Sequence, residues 1–226
     1  MGRAPRVDVG GEVYHIINRA NGRQTIFHTK EEYLHFEQLL TEAKELNSMR
    51  ILAYILMSNH WHLVLHPHRD GDLSVFMQWL TLTHTQQYHS RTKTIGYGHL
   101  YQGRYKSFLV EKDNHLLQLI RYVERNAFRA KLVKQAENWR WGSAYRRTQG
   151  APQAKALLSD TIIELPKDYL EWLNEKEDAG ALAIIRQSVN KGTPLGAVKW
   201  VKRTVDKFDL LLTTRLRGRP KDEKGT

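Results

Sequence analysis

The segment MSNHWHLVLHPH, residues 57–68, places four histidines at positions 60, 62, 66 and 68. Because side chains alternate between the two faces of a strand, His60 and His62 would lie on one face, about 7 Å apart, with Trp61, Leu63 and Leu65 on the other. Two such imidazoles can share one metal ion. Pro67 is expected to end the strand, which leaves His68 in a loop. His60 and His62 are therefore the better candidate ligands, although eleven histidines in the chain also allow a chance pair.

A second candidate segment is LIRYVERNAFRAKLV, residues 119–133. Residues 114–130 are predicted to form a helix that begins after the N-cap Asp113. On this helix Tyr122 and Asn126 lie one turn apart on the same stripe, with Arg125 and Arg129 beside them. The helix would present a phenol and an amide together, but periodicity alone does not select Tyr122 from the ten tyrosines of the chain.

The elements that must position these side chains follow from local patterns. Strands are predicted at 12–19, 51–57, 60–66 and 100–112, and helices at 30–47, after a capping box of Thr29 and Glu32, and at 72–90. The order βαββαβ followed by the tyrosine helix is typical of a ferredoxin-like α+β fold. We expect an antiparallel sheet with two helices on one face and the tyrosine helix across the other.

Composition narrows the chemistry. The chain of 226 residues has no cysteine, which excludes disulfides, thiolate zinc sites and thiol catalysis. Lys and Arg outnumber Asp and Glu by 35 to 24, and the formal charge of +11 favours a nucleic-acid partner, although many such charges are simply solvated. No apolar run is long enough to span a bilayer, and the N-terminus lacks the apolar core of a secretory signal. We therefore expect a cytoplasmic protein without a membrane contact.

Several segments together resemble a known family. NHWHL resembles the His-hydrophobic-His motif, and YVERN the Tyr-x-x-x-Asn/Gln motif, of the single-tyrosine transposases of the IS200/IS605 type. GEVYHIINRANGRQTIF, YQGRYKS, NAFRAKLV and WRWGSAYR are similar to segments of the REP-associated tyrosine transposases of bacteria. The match covers residues 10–147 in the same order and is weaker beyond 150. The family often has Pro after the Asn, where this chain has Ala127.

The resemblance implies a reaction and a partner. His60 and His62, with Asn126 as the third ligand, would hold Mg²⁺ or Mn²⁺, and Tyr122 would attack the scissile phosphate to give a 5′-phosphotyrosine and a free 3′-OH. The substrate would be single-stranded or hairpin DNA of the REP type, and the protein would be bacterial and associated with the nucleoid. The general base, the oligomeric state (monomer or homodimer) and whether Tyr122 acts in its own chain stay open.

The C-terminal region has a different character. We expect a catalytic domain at residues 1–147 and a basic DNA-binding region at 148–226, with ten Lys or Arg against four Asp or Glu from Gln187 onward. A helix is predicted from Gly196 to about Leu212. RGRP, residues 217–220, resembles the core of an AT-hook, although a solubilising tail explains it equally well. The expected DNA contacts are Arg125, Arg129, Lys199, Lys202, Arg203, Arg217 and Arg219.

Two other functions fit parts of the pattern. A non-catalytic regulator with the same fold would bind DNA hairpins without cutting them. A metal-dependent hydrolase would use water and would not need Tyr122. The presence of His60, His62, Tyr122 and Asn126 together argues against the regulator. A covalent protein–DNA adduct would distinguish the transposase from the hydrolase.

Overall fold

A computed structural model describes residues 6–150 and 156–214, so the predictions for Arg217 and Arg219 lie outside the described residues. The four strands are β1 (Val13–Arg19), β2 (Arg50–Met57), β3 (His60–His66) and β4 (Lys106–Val110). The helices in the described ranges are α1 (Lys30–Asn47), α2 (Asp72–Thr92), α3 (Asn114–Glu124), α4 (Asn126–Arg129), α5 (Ser143–Gln149), α6 (Tyr169–Asn174), α7 (Ala179–Lys191), α8 (Val198–Lys207) and α9 (Leu211–Thr214). Short 3-10 turns lie at Asn21–Arg23 and Ala136–Asn138.

The four strands form one antiparallel sheet in the order β2-β3-β1-β4. One face carries Trp61, Leu63 and Leu65 and packs in a single core with α1 and α2. The other face carries Val64 and Leu52 and packs against α3. This arrangement confirms the predicted ferredoxin-like α+β fold with the tyrosine helix on the second face. It also confirms the capping box of Thr29 and Glu32 that begins α1.

Three element boundaries were predicted wrongly. The fourth strand is only Lys106–Val110, because residues 102–104 bend away from the sheet after a single bridge between Ala20 and Tyr101. The tyrosine helix is not continuous to residue 130, since Arg125 has φ −85° and ψ 2° and separates α3 from α4. The helix predicted from Gly196 ends at Lys207, since Asp209 adopts a φ of 50° before α9 begins.

Both edges of the sheet are paired by segments that follow it in the chain. Along β2, the backbone N–H of Leu56 donates to the Trp141 carbonyl at 2.8 Å and that of Ser159 to the Ile51 carbonyl at 2.9 Å. At the end of β4, Leu195 exchanges backbone hydrogen bonds with Leu109 and Glu111, each at 2.8 Å. The second half of the chain therefore packs closely on the first.

Residues of the C-terminal region join both cores. Leu157, Val205 and Leu210 are buried with α1 and α2, and Ile185 and Leu195 are buried with α3. The functional division into 1–147 and 148–226 stays a prediction. None of the helices within the described ranges is long and apolar enough to cross a membrane.

Candidate active site

Two histidines of the interior strand β3 face α3. The imidazole of His62 is buried, with the residue 3% exposed, and its ring centroid lies 5.2 Å from that of the partly exposed His60. Burial lowers the pKa of His60 to about 4, and burial together with the charges of His15, His60, Arg129 and Arg19 lowers the pKa of His62 well below its ordinary value. Both rings are therefore uncharged at neutral pH, which is the form that ligates a metal ion.

Asn126 reaches the same place from the opposite layer. The break at Arg125 begins the short helix α4 at Asn126, whose side-chain amide nitrogen lies 3.1 Å from Nε2 of His62. The oxygen and nitrogen of an amide are interchangeable in such a placement, so Asn126 can also turn its oxygen towards the histidine. The predicted proximity of Asn126 to the histidine pair is thus present, although the residue does not continue the tyrosine helix.

The three side chains form a donor set that fits a divalent cation. Nδ1 of His60 is bonded to the Asn59 side-chain oxygen at 2.7 Å, and Nδ1 of His62 to Nε2 of His15 at 3.0 Å. Each histidine therefore keeps Nε2 for an ion, and Asn126 adds an amide oxygen. All three ligands are neutral, so they leave the full charge of a bound cation available to a phosphate group.

A second group of ionisable side chains lies at the start of α3. The ligand atoms of Glu111, Asp113 and His115 lie within 4.8 Å of one another and could hold an ion. Glu111 already accepts from the backbone N–H of Ala197 at 2.7 Å, and Asp113 caps α3 by accepting from the backbone N–H of His115 at 2.8 Å. These contacts give both carboxylates a structural role that needs no bound ion.

Tyr122 packs against the histidines from α3. Its ring centroid lies 6.2 Å from that of His62 and 6.4 Å from that of His15, and the residue is 8% exposed. The guanidinium of Arg129 lies over the ring, 4.2 Å from its centroid. Within the described part of the chain the phenol oxygen has no hydrogen-bond partner. No intramolecular hydrogen bond therefore holds the hydroxyl among these residues. Tyr122 lies on the same side of the sheet as Asn126.

The predicted DNA contacts Arg125 and Arg129 are engaged inside the chain. Arg125 is 4% exposed, and its guanidinium donates to the Leu173 carbonyl and lies 3.2 Å from a carboxylate oxygen of Glu177. Arg129 forms an ion pair with the same carboxylate at 3.0 Å. In this arrangement neither guanidinium is directed to solvent. By contrast, Lys199, Lys202 and Arg203 are all exposed on α8.

Two residues close to the site were missed by sequence reasoning. His15 of β1 lies under His62, and the alternation of β1 places it on the face of the histidine pair, but only the register between β1 and β3 shows the contact. Glu124, inside YVERN, is buried and accepts from the Ser143 hydroxyl at 2.7 Å, the Arg147 guanidinium at 3.1 Å and the Tyr169 hydroxyl at 2.6 Å. WRWGSAYR thus holds the tyrosine helix to the edge of the sheet.

A basic groove lies beside β4. Its volume is about 700 Å³, and its walls include Arg19, Arg104, Lys106 and Lys191. Phe108 also lines it and contacts the ring of His15, with ring centroids 4.9 Å apart. The groove therefore begins next to the histidine site and presents positive charge along the edge of the sheet.

Comparison with solved structures bears on the fold. The structure is similar to that of a REP-associated tyrosine transposase bound to a REP hairpin, with a TM-score of 0.56, 16% identity, and coverage of 79% of this chain and 93% of that chain. A second solved structure is described as a transposase from Deinococcus radiodurans R1. It gives a TM-score of 0.39 and 19% identity, and the match covers 55% of this chain and 95% of that chain. At these identities the first likeness supports the fold alone, and the second carries no argument.

The sequence itself decides the family. No curated protein matches the chain significantly. A family model described as "Transposase IS200 like" matches residues 9–126, just over half of the 226 residues, and this stretch runs from before β1 to Asn126. It includes His60, His62 and Tyr122. The chain therefore belongs to the IS200-like transposase family, whose members are in general DNA-cleaving and strand-transfer enzymes.

Proposed function

We propose that this transposase cuts single-stranded DNA beside a REP-like hairpin and transfers the strand through a 5′-phosphotyrosine on Tyr122. The observation that carries the proposal is the meeting of an uncommitted phenol with the His60, His62 and Asn126 donor set across one sheet face. A hydrolase that uses water gains nothing from a tyrosine at that position. The hairpin belongs to the proposal because the solved transposase of similar fold is bound to one.

The proposed reaction is a phosphoryl transfer. The Tyr122 oxygen attacks the phosphorus of the scissile phosphodiester, a new P–O bond forms, and the bond to the 3′-oxygen breaks. The phenol loses its proton during attack, and the departing 3′-oxygen takes up a proton to leave as 3′-OH. A Mg²⁺ or Mn²⁺ ion bound to His60, His62 and Asn126 would act as a Lewis acid on the phosphate. Attack by a 3′-OH on the phosphotyrosine reverses the same exchange and joins strands.

The protein environment favours an anionic substrate at this site. The Arg129 guanidinium lies over the Tyr122 ring, so a positive charge that it shares with Glu177 is close to the proposed nucleophile. The basic groove offers a path for a single strand, since a positively charged channel with aromatic walls suits an unpaired backbone. The exposed cations of α8 would add sequence-independent phosphate contacts.

The experiment is a search for the covalent intermediate. A REP-type hairpin oligonucleotide labelled 3′ of the cut is incubated with protein and Mn²⁺ and run on a denaturing gel. The wild-type protein should give a slow-migrating adduct whose peptide map places the nucleotide on Tyr122. Tyr122→Phe removes one oxygen and should give no adduct, whereas Tyr97→Phe, at a site 86% exposed, should behave as wild type.

Each alternative predicts a different gel. Cleavage without an adduct would support attack by water, and an adduct on another tyrosine would refute the assignment of Tyr122. Binding of the hairpin without cleavage under any divalent ion would support the non-catalytic regulator.

A further inference from the structure

Arg19 lies at the end of β1, where the basic groove meets the histidine site. In the antiparallel register of β1 and β3 it is the direct partner of His60, and Ile17 is the partner of His62. Directly opposed residues of an antiparallel pair point to the same face of the sheet. The side chain of Arg19 therefore starts from the face that carries the two histidines. It is half-buried and also lines the groove.

Hydrogen bonds hold the backbone at Arg19 in place. Its carbonyl accepts from the backbone N–H of Gln102 at 2.9 Å, and its N–H donates to the side-chain oxygen of Asn18 at 3.0 Å. The next N–H, that of Ala20, donates to the Asn59 carbonyl at 2.9 Å. The base of the side chain is thus fixed before any substrate binds, which lowers the cost of reorganisation at the moment of reaction.

The positive charge of Arg19 is not shared with a carboxylate. Within residues 6–150 and 156–214, its guanidinium has neither an ion pair nor a hydrogen bond. Arg129, the other arginine whose charge acts on His62, is paired with Glu177 at 3.0 Å. Burial, followed by the charge of Arg19, lowers the pKa of His60 to about 4. An unneutralised cation therefore acts on both histidines from the end of β1.

Such a charge is unfavourable in the free protein and becomes favourable when an anion binds. A half-buried guanidinium without a partner has lost part of its hydration and gained no ion pair in return. In the proposed phosphoryl transfer, negative charge develops on the two non-bridging oxygens of the scissile phosphate. A planar guanidinium can donate two N–H groups to such oxygens, and donors that are already in place where charge develops stabilise a transition state.

We propose that Arg19 is a catalytic residue that binds a non-bridging oxygen of the scissile phosphate while Tyr122 attacks. The inference rests on the proposed function, because it concerns the same phosphate. Arg19 forms no covalent bond and keeps its proton, since a guanidinium stays protonated in proteins. It approaches from the sheet, whereas Arg129 and Tyr122 approach from the helices on the other side. The two arginines would thus contact the phosphate and the nucleophile from opposite sides.

The first test measures the single-turnover rate of adduct formation with protein in saturating excess over a labelled REP-type hairpin oligonucleotide. Arg19→Gln should lower this rate about 100-fold to 1000-fold, the usual effect of losing one donor to a developing charge. Arg19→Lys keeps the charge without the planar fork and should recover only part of the rate. Arg69→Gln, at an exposed arginine of the loop after β3, is the matched control and should react as the wild type does.

The second test changes the substrate. A methylphosphonate at the cut position replaces one non-bridging oxygen with a methyl group and removes the charge that Arg19 would contact. The defect of Arg19→Gln relative to the wild type should then shrink from about 100-fold or more to less than about 10-fold, because both changes remove the same contact. A defect of unchanged size on this substrate would overturn the inference.

The third test measures Mn²⁺ binding by calorimetry in the absence of DNA. Arg19 repels a cation, so Arg19→Gln should bind Mn²⁺ at least as tightly as the wild type, and up to about 10-fold more tightly. Its Tm should not fall below that of the wild type, because the substitution breaks no ion pair or hydrogen bond of the guanidinium within the described ranges. Weaker Mn²⁺ binding would mean that Arg19 supports the metal site instead of the phosphate, and would overturn the inference.

The outcomes separate this inference from the proposed function. If Arg19→Gln forms the adduct at the wild-type rate, Arg19 is not catalytic but the proposed function stands. If it loses only hairpin affinity and reacts normally at saturation, Arg19 is a groove contact and the inference is overturned. If the wild type itself forms no adduct, the proposed function fails and the role of Arg19 fails with it. If Arg19→Gln does not fold, Arg19→Lys compared with the wild type on the two substrates still decides the question.

Discussion

Glu124→Ala should destabilise the protein markedly, although Glu124 takes no part in the proposed chemistry. The carboxylate is buried and accepts from Ser143, Arg147 and Tyr169, three groups that lie on α5 and α6. Alanine removes the acceptor and leaves these donors facing a cavity. The contact is also the link between the tyrosine helix and the segment that pairs with the edge of β2.

The magnitude follows from the partners. Breaking a buried ion pair by removing one member costs about 3–5 kcal/mol. The loss of stability here should lie near 3 kcal/mol, the lower end of that range. The Arg147 side chain is 15% exposed and also donates to the Leu52 carbonyl. The Ser143 hydroxyl keeps its hydrogen bond to the Tyr54 carbonyl. For a chain of this size each kcal/mol shifts Tm by about 2–4 °C, so Tm should fall by about 6–12 °C.

Thermal and urea unfolding followed by circular dichroism would measure the effect. Glu124→Gln keeps an oxygen for Ser143 and should lose less than half as much stability as the alanine variant. Glu42→Ala, an exposed glutamate on α1, should stay within about 0.5 kcal/mol of the wild type. If Glu124→Ala has the same Tm as the Glu42→Ala control, this network does not stabilise the fold.

Three further predictions concern the site and its surroundings. His60→Ala or His62→Ala should abolish divalent-dependent cleavage but leave hairpin binding largely intact in a gel-shift assay, and full cleavage would contradict the ligand assignment. Replacing Lys199, Lys202 and Arg203, three of the exposed cations of α8, with Gln should weaken DNA binding and reduce the salt slope for single strands by about 2. An unchanged slope would exclude phosphate contacts by these three side chains. Burial lowers the pKa of His84 to about 3 from 6.5, so the unfolded chain binds its proton first and stability is lost as pH falls below about 6.5. In pH-dependent melts His84→Gln should show a shallower loss of stability than the wild type between pH 6.5 and 4.5, and an unchanged profile would exclude His84 as a contributor.

Substitution on α8 tests the C-terminal cations more directly than a truncation would. Removing residues from Gln187 onward would also remove Leu195, Val205 and Leu210, which are buried in the two cores. Truncation would therefore mix loss of charge with loss of stability. Substituting exposed side chains changes the charge alone.

Much of the fold was predictable because its signals are local. The alternation of Trp61, Leu63 and Leu65 against the histidines identifies the two faces of β3, and the capping box at Thr29 marks the start of α1. Such patterns depend on neighbours within one turn or one strand. The same reasoning extended the tyrosine helix too far, because the bend at Arg125 accompanies contacts with Leu173 and Glu177 about fifty residues later.

The site was only partly predictable for the same reason. The spacing of Tyr122 and Asn126 indicated that they would lie close together, and the resemblance to known transposases supplied their roles. The contact between His15 and His62 depends on the register of β1 against β3, and that register joins residues 47 positions apart. Arg125 and Arg129 form ion pairs with Glu177, which lies beyond residue 150, where the resemblance is weak. The sequence therefore offered no sign of this partner, and both arginines were predicted to contact DNA.

The pairing of the sheet edges bears on how copies of this protein can assemble. An uncovered edge strand is a template on which a second sheet can grow, whether in a dimer or in an aggregate. On β2 the outward groups of Ile51, Leu52, Tyr54 and Leu56 are already bonded by later segments of the same chain. An intermolecular sheet continued through β2 would first have to displace those segments, and with them the Ser143 contact that anchors Glu124. Association of two folded copies would therefore use helices, loops or shared DNA in preference to strand addition at β2.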